Sequence, residues 1–178
     1  MVLRYLRALG VSFILVAGAS TAFADKPPVD CSKKSLAQAV ADAGTGESIV
    51  FTGICAGPIV VKTDGLSLSG ADNAVVDGGG KDAITVAGAH QVSFKDFEVR
   101  HGKDGILGIN GAHVNLTGVS VHDNGLFGIS LQTGSSGILS GVTITGSGVH
   151  GLDLETGSSA TITGNFQSTG NRNASRKF

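Results

Sequence analysis

The chain has no tryptophan and one tyrosine among 178 residues, and that one tyrosine, Tyr5, lies in the first stretch of the sequence. A core built on large aromatic side chains, as in an ordinary compact globule, is therefore excluded. Cationic residues are also few: 13 Lys and Arg against 14 Asp and Glu leave a formal net charge of −1. Binding to a nucleic acid backbone needs clustered cations that displace counterions, so no nucleic acid partner is expected. Only Arg172, Arg176 and Lys177 make a locally basic end. Two cysteines are too few for a cysteine-only metal site. No stretch of helical periodicity as long as a β-α-β crossover lies between Ser48 and Asn171, which excludes an alternating α/β fold.

What is present begins with a leader. Arg4 and Arg7, an apolar run through "VSFILVAGA" and the small-residue end Ala22-Phe23-Ala24 have the layout of a secretory signal peptide. Residues 1–24 are expected to be removed, giving a secreted or periplasmic protein. Nothing later is apolar over the length a membrane span requires, so no span is expected in the mature chain. In an oxidising compartment Cys31 and Cys55 are expected to pair, tying the N-terminal segment to the first unit of the fold. Residues 25–47 read as a cap. Ser35 with Gln38 fits a capping box, Leu36 and Val40 share one helix face, and Gly44 suits the C′ position, so a short helix is expected from Ser35 to Ala43.

Residues 48–171 repeat. Gly88, Gly111, Gly134 and Gly157 are spaced by 23, as are Gly118, Gly141 and Gly164. Aliphatic residues keep nearly the same beat in two columns, Ile84, Leu107, Ile129, Leu152 and Val86, Ile109, Leu131, Leu154. The spacing of two within each repeat is a strand period. Val92/Phe94 and Phe97/Val99, with their equivalents in later repeats, add a second and a third strand. Short strands alone would suit a sandwich, but a fixed period of 22–23 residues requires a solenoid, in which inward positions stack coil on coil while outward ones are free to vary. The expected fold is all-β, a parallel β-helix with a short N-terminal capping helix. In the last third strand Asn165 and Gln167 fall where apolar residues are due and Phe166 falls outward. That leaves an uncapped C-terminal coil open to self-association, followed by a polar basic tail, residues 172–178.

The stretch "GLSLSGADNAVVDGGGKDAITVAGAHQVSFKDFEVRHGKDGI" and the two coils after it resemble the right-handed parallel β-helix proteins of the pectate-lyase-like superfamily. That resemblance implies the right-handed fold and a polysaccharide or cell-surface glycan as partner. It names no catalytic residue, because the superfamily holds lyases, hydrolases, epimerases and proteins without known activity.

Two outward faces carry candidate chemistry. Glu98 and Arg100 share a strand face, with Ser120 and His122 in register on the next coil and Lys103, Asp104, Asp123 and Asn124 in the adjoining turns. An arginine, a histidine and acids in one patch suit binding of an acidic sugar and movement of a proton, with Glu98, Arg100 and His122 as the catalytic candidates. A plain surface ion pair is the other reading of the same residues. On the second face Asp153 and Glu155 lie two apart on one strand beside Ser130 and Gln132, suited to a hard cation or to sugar hydroxyls. No metal or cofactor is expected: His90 and His113 make a poor zinc site, and "DGGGKD" occurs once, as a turn. The two function classes left are a polysaccharide-binding protein with lyase or hydrolase activity and a non-catalytic structural or adhesive module.

Overall fold

The computed structural model describes residues 26–172. The expected leader and residues 173–178 of the expected tail lie outside them. The elements are β1 (Val29–Asp30), α1 (Leu36–Ala41), β2 (Ser48–Ala56), β3 (Ile59–Val61) and β4 (Ser67–Asp77), and then four coils of three strands each. These are β5 (Ile84–Ala87), β6 (Val92–Lys95) and β7 (Glu98–Arg100); β8 (Ile106–Ile109), β9 (His113–Thr117) and β10 (Ser120–His122); β11 (Phe127–Leu131), β12 (Ser136–Ser140) and β13 (Val142–Thr145); β14 (His150–Leu154), β15 (Ser159–Ile162) and β16 (Phe166–Thr169). Every strand pairs in parallel with its equivalent one coil away, which makes an all-β solenoid of about six turns. Sheet B stacks the first strands in the order β14-β11-β8-β5-β3. Sheet A has two arms, β6-β9-β12-β15 and β7-β10-β13-β16, which meet at β4 because Ser67–Ser69 pair with β6 and Val75–Asp77 with β7.

The core runs along the axis. The columns Val76, Val99, Val121, Ile144 and Leu68, Phe94, Leu116, Leu139 are all within 1 % of full burial. Phe97 bridges two arms, edge-on to Phe51 at 5.1 Å and to Phe94 at 5.8 Å. These aromatic pairs supply bulk that the composition otherwise lacks.

Sheet B corrects the expected columns. Ile84 stacks on Ile106, and Val86 on Gly108, so Leu107 and Ile109 face outward. The offset is 22 residues on both sides of the turn, at Ala87–Ile109 and at Val92–Val114, so Gly88 stacks on Asn110 and not on Gly111. The reason is conformational. Asn110 has φ 58° and fills the left-handed position that Gly88 fills with φ 71°, which asparagine tolerates better than most residues. The last third strand is also corrected. Val142 pairs with Phe166 and Ile144 with Ser168, an offset of 24, so Phe166 packs against the core and Asn165 and Gln167 do not. The extra residue is taken up in the turn before β16.

The N-terminal end is closed. The Ser35 hydroxyl accepts from the Gln38 amide at 3.2 Å, while the Gln38 side chain turns to Asp42 and leaves the capping box half made. Leu36 and Val40 of α1 are buried on the first coil. The helix ends with Asp42 as its C-cap, so Gly44 lies beyond the C′ position expected for it. Cys31 and Cys55 form the expected disulfide, and the Cys31 amide donates to the Thr52 carbonyl at 3.1 Å.

Candidate functional site

On the outer face of the β7 arm the expected register holds: Glu98 pairs with Ser120 and Arg100 with His122. Asp77 of β4 joins them one coil earlier, opposite Arg100. The side chains form one chain of contacts. Arg100 Nη1 donates to Glu98 Oε1 at 3.0 Å and Nε to Asp77 Oδ2 at 3.2 Å; His101 Nδ1 lies 2.9 Å from Asp77 Oδ2. His122 places Nε2 3.0 Å from Glu98 Oε1 and Nδ1 2.8 Å from Asp123 Oδ2. Burial works against the Asp77 carboxylate, but hydrogen bonds from His101, the Gly79 amide and Arg100 outweigh it and hold its pKa below the ordinary range. The Asp77 bond in turn raises the Arg100 pKa.

Both nitrogen edges of Arg100 that reach neighbours are thus met by carboxylates of this chain. The patch holds three acids against one arginine. Its capacity to attract a polyanion is small, although Asn73, Asp96, Glu98 and Ser120 line a depression beside it with a volume of about 380 Å³. Asp77 and His101 belong to this network and were not among the expected site residues. Asp77 is one coil away from Arg100 in the same column, a signal that the 23-residue spacing carries.

The turn residues divide. Lys103 is exposed, with Nζ 3.9 Å from Asp82 Oδ1. Asp123 is exposed beside His122. Asp104 and Asn124 are 3 % and 2 % exposed and are occupied with the backbone. Asp104 accepts from the Phe127 amide at 3.2 Å, and burial raises its pKa. Asn124 Oδ1 accepts from the Gly102 amide at 2.8 Å, as Asn171 Oδ1 does from the Ser147 amide at 2.9 Å. These two side chains tie successive coils together at a turn and do not face a surface ligand. Asn124→Ala is expected to lower stability by about 1–3 kcal/mol, the cost of leaving a buried amide unpaired. A urea titration checks the size, and an unchanged midpoint would contradict the tie.

The outer face of sheet B gathers a different set. Phe127 stacks on His150 with ring centroids 6.0 Å apart and planes 7° from parallel, both half-buried. Ser130 pairs with Asp153, and Gln132 Nε2 donates to the Ser130 hydroxyl at 3.0 Å. Leu107, now outward, pairs with Ser130 from the coil before, and Ser130 is fully buried. Asp153 is 6 % exposed and its Oδ2 has no hydrogen-bond donor, while Glu155 stands exposed beside it. The charge of Asp153 raises the Glu155 pKa. Among the described residues no three His, Cys, Asp or Glu side chains converge as a metal site would. Phe127 and His150 were not among the expected site residues, although they lie 23 residues apart, a spacing that the repeat carries.

Residues 59–174 match the family described as right handed beta helix region. The chain belongs to that family, and its solenoid is right-handed, as the resemblance to the pectate-lyase-like superfamily implies. Among solved structures the chain is similar to an alginate lyase from Paenibacillus sp. str. FPU-7, with a TM-score of 0.59 at 19 % identity. The similarity covers 76 % of this chain and 56 % of the lyase, so this chain spans little more than half of that protein, and the likeness is one of fold. No curated protein sequence matches the chain.

Proposed function

We propose that this is an exported protein that binds a neutral polysaccharide along the outer face of sheet B, where Glu155 gives its proton to a glycosidic oxygen as the C–O bond breaks, and water adds at the anomeric carbon and returns a proton to the carboxylate. The observation that carries the reading is the Asp153–Glu155 pair: an exposed carboxyl group two residues along the strand from a nearly buried one whose Oδ2 has no hydrogen-bond donor, and whose charge raises the Glu155 pKa. The half-buried Phe127 and His150 supply apolar ring edges against which a sugar can pack, and Gln132, on the strand next to Glu155, supplies a neutral polar group. Charge selects the substrate class. Acids dominate both outer faces, and Arg100 is already held by Asp77 and Glu98, so an acidic chain would meet repulsion while a hydroxyl-rich neutral one would not. The disulfide agrees with export to an oxidising compartment.

The test is a panel of neutral and acidic polysaccharides, read for retention and for new chain ends. The parent is expected to retain a neutral member and to cleave it. Glu155→Gln keeps the hydrogen-bonding shape but cannot give up a proton, so cleavage is expected to fall roughly 10²- to 10⁴-fold with retention little changed. Retention of acidic polysaccharides alone would overturn the choice of substrate. Retention without any cleavage would leave the chain a binding module, the second class the sequence allows.

A further inference from the structure

Taking the polysaccharide to bind along sheet B as proposed above, we infer that Asp104 is a positioning residue of that face: from the coil before, it holds the backbone of Phe127 so that the Phe127 ring meets His150. Residues 82, 104, 127 and 150 stand in one column, because Ile84, Ile106 and Ile129 stack in register two residues after the first three, and Phe127 pairs with His150. The first two are aspartates and the last two carry rings. Each of these carboxyl groups takes the amide of the next coil. Asp82 Oδ1 accepts from the Asp104 amide at 3.4 Å, and Asp104 Oδ1 accepts from the Phe127 amide at 3.2 Å. The Phe127 carbonyl accepts in turn from the Gly105 amide at 2.9 Å. Both backbone groups of Phe127 are thus fixed by residues 104 and 105, and the ring carried on that backbone stacks on His150.

For the fold alone Asp104 is a costly residue at this place. It is 3 % exposed, and burial, Asp82 and Asp153 oppose its charge, while the Phe127 amide and Lys103 favour it. Local rules are broken in this way where a site has to be held. Asp104 is too buried to touch a sugar, so it acts through Phe127. Phe127 is the first residue of β11, where a strand frays most easily. Without the carboxyl group it keeps the carbonyl bond to Gly105, but its amide has no acceptor and the ring is free to swing off His150.

Two variants of the full chain test this. Asp104→Ala removes the acceptor, and Asp104→Asn keeps an oxygen in its place and drops the charge. Each is read by the nuclear Overhauser contacts between the Phe127 and His150 rings without ligand, and by the dissociation constant for the neutral polysaccharide that the parent retains. The Ala variant is expected to lose the ring contacts and to raise the dissociation constant roughly fivefold, the scale of one hydrogen bond, while the Asn variant keeps the contacts and stays within a factor of about two of the parent. Should Asp104→Ala fail to fold, Asp104→Ser takes its place, with a hydroxyl one bond too short to reach the amide. A variant without the acceptor that is less stable to urea yet keeps the ring contacts and the affinity would overturn the proposal, since Asp104 would then serve the fold alone. Loss of both in the Asn variant would overturn it too, because the charge and not the bond would then hold the ring. A parent that retains no neutral polysaccharide would sink the proposed function instead, and the ring contacts would still decide whether Asp104 holds Phe127.

Discussion

Gly128→Ala is expected to destabilise the protein by about 3 kcal/mol, the upper part of the usual range for overpacking a core. Gly128 sits at the corner where each coil turns into sheet B. A Cβ there would overlap Ile144 Cγ2 and lie 2.7 Å from the Gly151 carbonyl oxygen. Both neighbours belong to the stack: Ile144 is fully buried, and Gly151 is the equivalent corner one coil later. Neither can retreat without shifting a strand. Gly134→Ala is the control. It has φ 73° but nothing within 4 Å of a new Cβ, so only the left-handed backbone opposes it, about 1–2 kcal/mol. Urea midpoints of the two variants separate the effects, and equal losses would contradict the inward direction of the corner.

Cys31→Ala together with Cys55→Ala is expected to cost about 3 kcal/mol in the chain-entropy view, because the bond closes a loop of 24 residues in sequence separation. The loss should fall on the N-terminal coil. Cys55 is 1 % exposed among Phe51, Ile59 and the other residues of the first coil, and the bond holds α1 over the end of the core. Hydrogen exchange should therefore rise first in α1 and β2 and least in β12. Uniform exchange along the chain would show that the cap is held by its packing alone.

The fold was legible because a solenoid repeats its inward residues. Columns such as Phe94, Leu116, Leu139 and Val99, Val121, Ile144 read directly from the sequence and stack as read. The errors arose where one residue type can replace another in the same backbone conformation. Asn110 takes the left-handed turn in place of glycine, so matching glycine to glycine moved sheet B by one residue and placed Leu107 and Ile109 inside. The corner glycines Gly105, Gly128 and Gly151 also repeat every 23 residues, but their reason is steric, a close approach to a neighbouring coil that the sequence alone does not show. At the candidate site, the Glu98, Arg100 and His122 register was readable, but which partner each charge had already taken was not. Asp77 reaches Arg100 from the preceding coil, and Asn124 turns inward to the Gly102 amide. Only coordinates separate a free cation from a satisfied one.

The most direct test of the account compares the two outer faces in one binding experiment. On the neutral polysaccharide that the parent retains, Phe127→Ala combined with His150→Ala is expected to raise the dissociation constant at least tenfold, about 1.4 kcal/mol. Arg100→Ala should leave it within a factor of about two, because the guanidinium serves Asp77 and Glu98 and not the ligand. Binding that survives in the first variant and is lost in the second would place the polysaccharide on the β7 arm and contradict the assignment to sheet B.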